Sequence, residues 1–81
     1  MKENEIFCKN MLILRKHLGM TQRDFAKALR IGVHSLSLIE QGRIPARLGA
    51  TILIKIYVCF GIMPSEMFCN DLPLHKAHPN R

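Results

Sequence analysis

Cys8, Cys59 and Cys69, with His75 and His78 near the C-terminal end, are the side chains best able to hold a transition metal, since thiolate and imidazole are zinc ligands. Their spacing does not support it. The cysteines are odd in number and lack a C-x-x-C pair, so neither a disulfide framework nor a zinc ribbon follows, and reduced thiols are the simpler reading. The two histidines stand three apart in a segment that Pro73 and Pro79 interrupt, which cannot preorganise a site, so no metal and no cofactor is expected. Covalent catalysis fares no better. His17 follows Lys16 and Ser35 follows His34, and immediate neighbours diverge on a helix, so no nucleophile and base face one another and an enzyme is not expected.

What remains is charge. Twelve Lys and Arg against six Asp and Glu give a formal net charge of +6. Lys9, Arg15, Lys16, Arg23, Lys27, Arg30, Arg43, Arg47 and Lys55 crowd the middle of the chain, where Asp24 and Glu40 are the only acids. A positive field so concentrated suits a polyanionic partner, nucleic acid first among them, although solvated Lys and Arg alone produce the same composition.

The elements that must hold these residues are helical. In 81 residues there is room for one modest core, and 48% apolar residues with only 6% aromatics and no Trp suit helices packed through Leu, Ile, Met and Ala; an all-α fold is expected. Phe7, Met11, Leu14 and Leu18 repeat at helical spacing, and Gly19 ends that first helix. Thr21 caps a second helix over 22–29, with Asp24 three residues on and Phe25, Ala26 and Leu29 facing inward. A third spans 33–41, with Leu36 and Ile39 inward and Gly42 closing it. Pro45 marks a loop over 43–47, a fourth helix runs over 49–60, and Pro64 opens one further helical turn over 64–68 that covers the core with Phe68. From Cys69 the chain loses periodicity and reads as a tail. The apolar run 11–14 stops at Arg15, too short for a signal segment, and the run 56–63 is broken by Gly61, too short for a membrane span; a cytoplasmic location is expected.

The string NMLILRKHLGMTQRDFAKALRIGVHSLSLIEQGRIP carries the block L-R-K-x-L-G-x-T-Q followed by Ala26, Leu29, Ile31, Ile39, Glu40 and Gly42. Over residues 10–68 it resembles the Cro/CI, or xenobiotic-response-element, helix-turn-helix family. That resemblance implies a five-helix lambda-repressor-like DNA-binding domain over 1–68, with the helix-turn-helix formed by the second and third helices and a C-terminal tail over 69–81. The pattern also makes physical sense. Ala26 is small where the next helix crosses close, and Leu29, Ile31, Leu36 and Ile39 fill the wedge between the two helices, so the third stands out far enough to enter a major groove.

By similarity, Val33, His34, Ser37 and Leu38 read bases, Gln22, Arg23, Gln41 and Arg43 hold phosphates, and Arg15 pairs with Glu40 to tie the first helix to the end of the third. Val33 and Leu38 make the reading surface unusually apolar for the family. Arg30 occupies a turn position where the family usually has Gly, and the loop over 44–48 is slightly longer than its commoner form. The fourth helix has more apolar residues than one inward face requires, which suggests a homodimer through Ile52, Val58, Ile62 and Met67 on a palindromic operator. The leading expectation is therefore a transcriptional repressor of a bacterial, phage or mobile-element operon, bound to double-stranded DNA at the nucleoid and away from membranes. The alternatives are an antitoxin that also binds a protein toxin, and an interaction module that has lost DNA binding.

Overall fold

The computed structural model describes residues 2–44 and 49–77 of the chain. Its elements are α1 (Lys2–His17), α2 (Gln22–Leu29), α3 (Val33–Glu40) and α4 (Gly49–Phe60), followed by 3-10 helices over Pro64–Phe68 and Leu74–Lys76. The fold is all-helical among the described residues, as the residue pattern suggests. The fifth helix is the one correction: Pro64–Phe68 is a 3-10 turn, not a further α-helix. Five residues that Cys69 closes with an i→i+3 bond to the Glu66 carbonyl cannot complete a second α-turn.

α1, α2 and α3 all end in the same way. After α1 the amides of Gly19 and Met20 return to the carbonyls of Lys16 and Arg15; after α2 those of Arg30 and Ile31 return to Lys27 and Ala26. After α3, Gly42 and Arg43 return to Ile39 and Leu38. These are paired 5→2 and 6→1 closures around a residue of positive φ: Gly19 at 68°, Arg30 at 59° and Gly42 at 97°. The residue just beyond the turn is apolar twice, and both Met20 and Ile31 pack on the core. At the other end of α2, the Thr21 hydroxyl accepts from the Asp24 amide at 3.1 Å, which caps one orphan donor.

The core is built from Phe7, Met11 and Leu14 of α1, Phe25, Ala26 and Leu29 of α2, Leu36 and Ile39 of α3, and Ile52, Ile56 and Phe60 of α4. Ala26 is fully buried, as a small residue at a close helix crossing must be. Two ring pairs join distant elements: Phe25 with Phe60 and Phe7 with Phe68, each with centroids 5.6 Å apart. Cys59 adds a thiol donor to the Ala28 carbonyl at 3.5 Å, linking α4 to α2.

Among the described residues, one polar side chain lies within this core. Asn10 is buried on the α1 stripe, and its amide donates to the carbonyls of Met67 at 2.8 Å and Cys69 at 2.9 Å. It pins the end of the first 3-10 turn to α1. The chain beyond stays on the body of the protein as far as Ala77, which is buried, with Leu72 and Leu74 packed against the core. Three apolar residues at such irregular spacing leave no periodicity to read. Among the described residues no helix is long and apolar enough to cross a membrane.

Candidate nucleic-acid interface

α2 and α3 form a corner because their inward residues interlock. Phe25, Ala26 and Leu29 meet Leu36 and Ile39, all fully buried, while Ile31 plugs the turn between them. α3 is only eight residues long, and burying Leu36 and Ile39 orients everything else on it. Val33 and His34 are exposed, Val33 by 43%, and Ser37 and Leu38 are half-buried. The four side chains thus lie at i, i+1, i+4 and i+5, on the side of α3 away from the core. Gln41 follows on the same side and is exposed, as is Arg43 beyond the turn.

A bound pair of charges locks this corner to α1. Arg15 Nε lies 2.7 Å and Nη2 3.2 Å from the two carboxylate oxygens of Glu40, a bidentate pair whose side chains are 16% and 7% exposed. The third guanidinium nitrogen donates to the Met20 carbonyl at 3.0 Å, so Arg15 also holds the turn leading into α2. Glu40 Oε1 accepts a further bond, from Gln22 Nε2 at 2.8 Å. One carboxylate therefore joins α1, the first residue of α2 and the last residue of α3.

That bond changes the picture of Gln22. The resemblance assigns it to a phosphate, yet it is half-buried and commits its amide nitrogen to Glu40. Arg23 beside it is exposed, as are Lys27 and Arg30 further along α2. On α3 the Gln41 amide donates to Ser37 Oγ at 3.1 Å. Residue type and spacing announce neither bond; i, i+4 spacing allows the Gln41–Ser37 contact, whereas Gln22–Glu40 exists only once the corner closes.

The positions assigned to a second copy of the chain separate. Ile52, Ile62 and Met67 have no exposed surface, being wholly taken up by the protein's own core, and so offer no contact area to another molecule. Val58 is 60% exposed, and it sits with Ile54 at 61% and Tyr57 at 50% on the outer side of α4. Met63, just beyond, is exposed too. α4 is apolar on nearly every side, so periodicity could not show which of its residues face inward.

Cys8 is buried, and desolvation raises its thiol above the ordinary value; Cys69 and His75 are exposed, and His78 lies outside the described residues. Among the described residues no three His, Cys, Asp or Glu side chains gather into a metal site. The loop expected over 43–47 falls mostly outside the described residues, Arg47 with it.

Compared with known proteins, residues 12–62, well over half of the chain, match the model of a helix-turn-helix family. This span takes in all of α2, α3 and α4, and the end of α1 that carries Arg15. No curated protein and no solved structure matches the chain significantly.

Proposed function

We propose, from the premise that this chain belongs to the Cro/CI-type helix-turn-helix family of DNA-binding transcription regulators, that it is a sequence-specific repressor acting by occluding a promoter. α3 enters the major groove, Val33, His34, Ser37 and Leu38 read base edges, and Arg23, Gln41 and Arg43 hold the flanking phosphates. Gln22 acts from behind, through Glu40, to set the angle of α3. The single observation that carries this reading is the sidedness of α3: Leu36 and Ile39 are fully buried, while Val33 and His34 are exposed. A surplus of positive charge in the same part of the chain supports it, since phosphate neutralisation supplies much of the affinity for duplex DNA.

The repressor acts as a homodimer on a palindromic operator in the cytoplasm, at the nucleoid. The exposed Ile54, Tyr57 and Val58 of α4 support a second copy, which would set two recognition helices about 34 Å apart. The same apolar face suits a protein toxin, and in that case the chain is the antitoxin of a pair. Mass in solution separates the two: a dimer at tens of micromolar supports the operator-bound homodimer, and a monomer favours the heterologous partner. Selection of bound duplexes from a random pool tests the main proposal. An enriched inverted repeat is the expected result; a pool that stays random, with no salt-dependent binding, would leave an interaction module that has lost DNA.

A further inference from the structure

We propose that the bases this protein discriminates are C5-methylated pyrimidines, which in ordinary DNA means thymines, set beneath Val33, Ser37 and Leu38. The inference rests on α3 being the helix that enters the groove. Two observations carry it. The reading side of α3 is half aliphatic, with Val33 exposed and Leu38 half-buried, and aliphatic carbon in the major groove finds a matching surface only in the thymine methyl. Of the two polar residues beside them, His34 and Ser37, the second already has a partner on its own helix. Gln41 Nε2 donates to Ser37 Oγ at 3.1 Å, which occupies one of the hydroxyl's two lone pairs and leaves its proton free to donate. Ser37 thus offers the groove a donor.

A donor flanked by aliphatic carbon has one good counterpart among the four bases. Thymine presents the acceptor O4 beside a C5 methyl. Guanine shows two acceptors and no methyl, adenine pairs its acceptor with an N6 donor, and cytosine turns an N4 donor toward the groove. 5-Methylcytosine keeps the methyl and loses the acceptor, so it meets half of the requirement.

The experiment uses duplexes enriched from the random pool and replaces each thymine of a half-site in turn by deoxyuridine, which removes the methyl and nothing else. Binding is expected to weaken about fourfold at one or two thymines per half-site, the factor that corresponds to about 0.8 kcal/mol for one buried methyl group. At those positions cytosine binds more weakly still, and 5-methylcytosine recovers the methyl's share. Val33→Ala, at an exposed position that the fold does not need, abolishes the deoxyuridine penalty at the base it covers; Leu38→Ala does the same at its own base. A preferred sequence in which no thymine responds to deoxyuridine overturns this inference and leaves base reading by α3 standing. So does a penalty that survives both substitutions. If no sequence is enriched at all, the proposed function fails and this inference with it.

Discussion

Arg30 carries a local cost that a single substitution can expose. Its φ of 59° and ψ of 43° put an L-residue in the left-handed region, which costs roughly 1–2 kcal/mol, while Gly there would lose about 0.5–1 kcal/mol through its greater freedom when unfolded. Arg30→Gly therefore stabilises the protein by up to about 1 kcal/mol, seen as a higher urea midpoint at unchanged slope. A lower midpoint would show that the Arg30 side chain makes a compensating contact. Arg15 and Glu40 give the opposite case. Removing Arg15 leaves a carboxylate with 7% exposure and, among the described residues, only Gln22 as a side-chain partner, so Arg15→Ala should cost about 3 kcal/mol or more. In a double-mutant cycle with Glu40→Ala, a coupling above about 1 kcal/mol is expected; no coupling would place the pair among exposed ones. The Arg15–Glu40 contact follows from family resemblance, as does the unusual turn at Arg30. Gln22 bonding to Glu40 does not, because the two meet only through the folded corner.

Single elements differ in how far their residues reveal them. The bounds of α2 are readable to the residue, since Thr21 offers a cap oxygen and the apolar stripe stops at Leu29. α4 shows its existence but not its orientation. With apolar side chains almost all round, nothing local distinguishes the dimer position Ile52, which is buried, from Ile54, which is not; Ile62 and Met67, beyond α4, are buried as well. α1 did hold a usable signal. Asn10 falls on the stripe of Phe7, Met11 and Leu14, and a polar residue there must find partners inside. Those partners are carbonyls near the end of a short 3-10 turn, which no local pattern identifies. Asn10→Ala removes two hydrogen bonds and strands two carbonyls, so a loss of about 2–3 kcal/mol is expected in denaturant unfolding. A loss under about 0.5 kcal/mol would mean that the segment after Pro64 holds to α1 by its apolar contacts alone.

At the scale of the whole molecule, shape and charge make distinct contributions to binding. Core residues on all four α-helices set where α3 projects, and the basic surplus sets how strongly duplex DNA is drawn to it. These contributions separate in salt. Arg43→Ala should lower the log-log salt slope of binding by about 0.9, the value of one phosphate contact. Leu38→Ala should change sequence preference at constant slope, because it releases no counterion. Equal slopes for wild type and Arg43→Ala would remove Arg43 from the phosphate contacts. The half-aliphatic character of the outward side of α3 is visible in residue types alone, but the Gln41–Ser37 bond needs the folded geometry.

The central claim is that the outward side of α3 meets the duplex, and amide NMR shifts on titration with a selected duplex test it most directly. The largest changes should fall at Val33, His34, Ser37 and Leu38, with smaller ones at Arg23 and Arg43 and none at the Asn10 clamp. Changes concentrated on Ile54, Tyr57 and Val58, with α3 undisturbed, would contradict it.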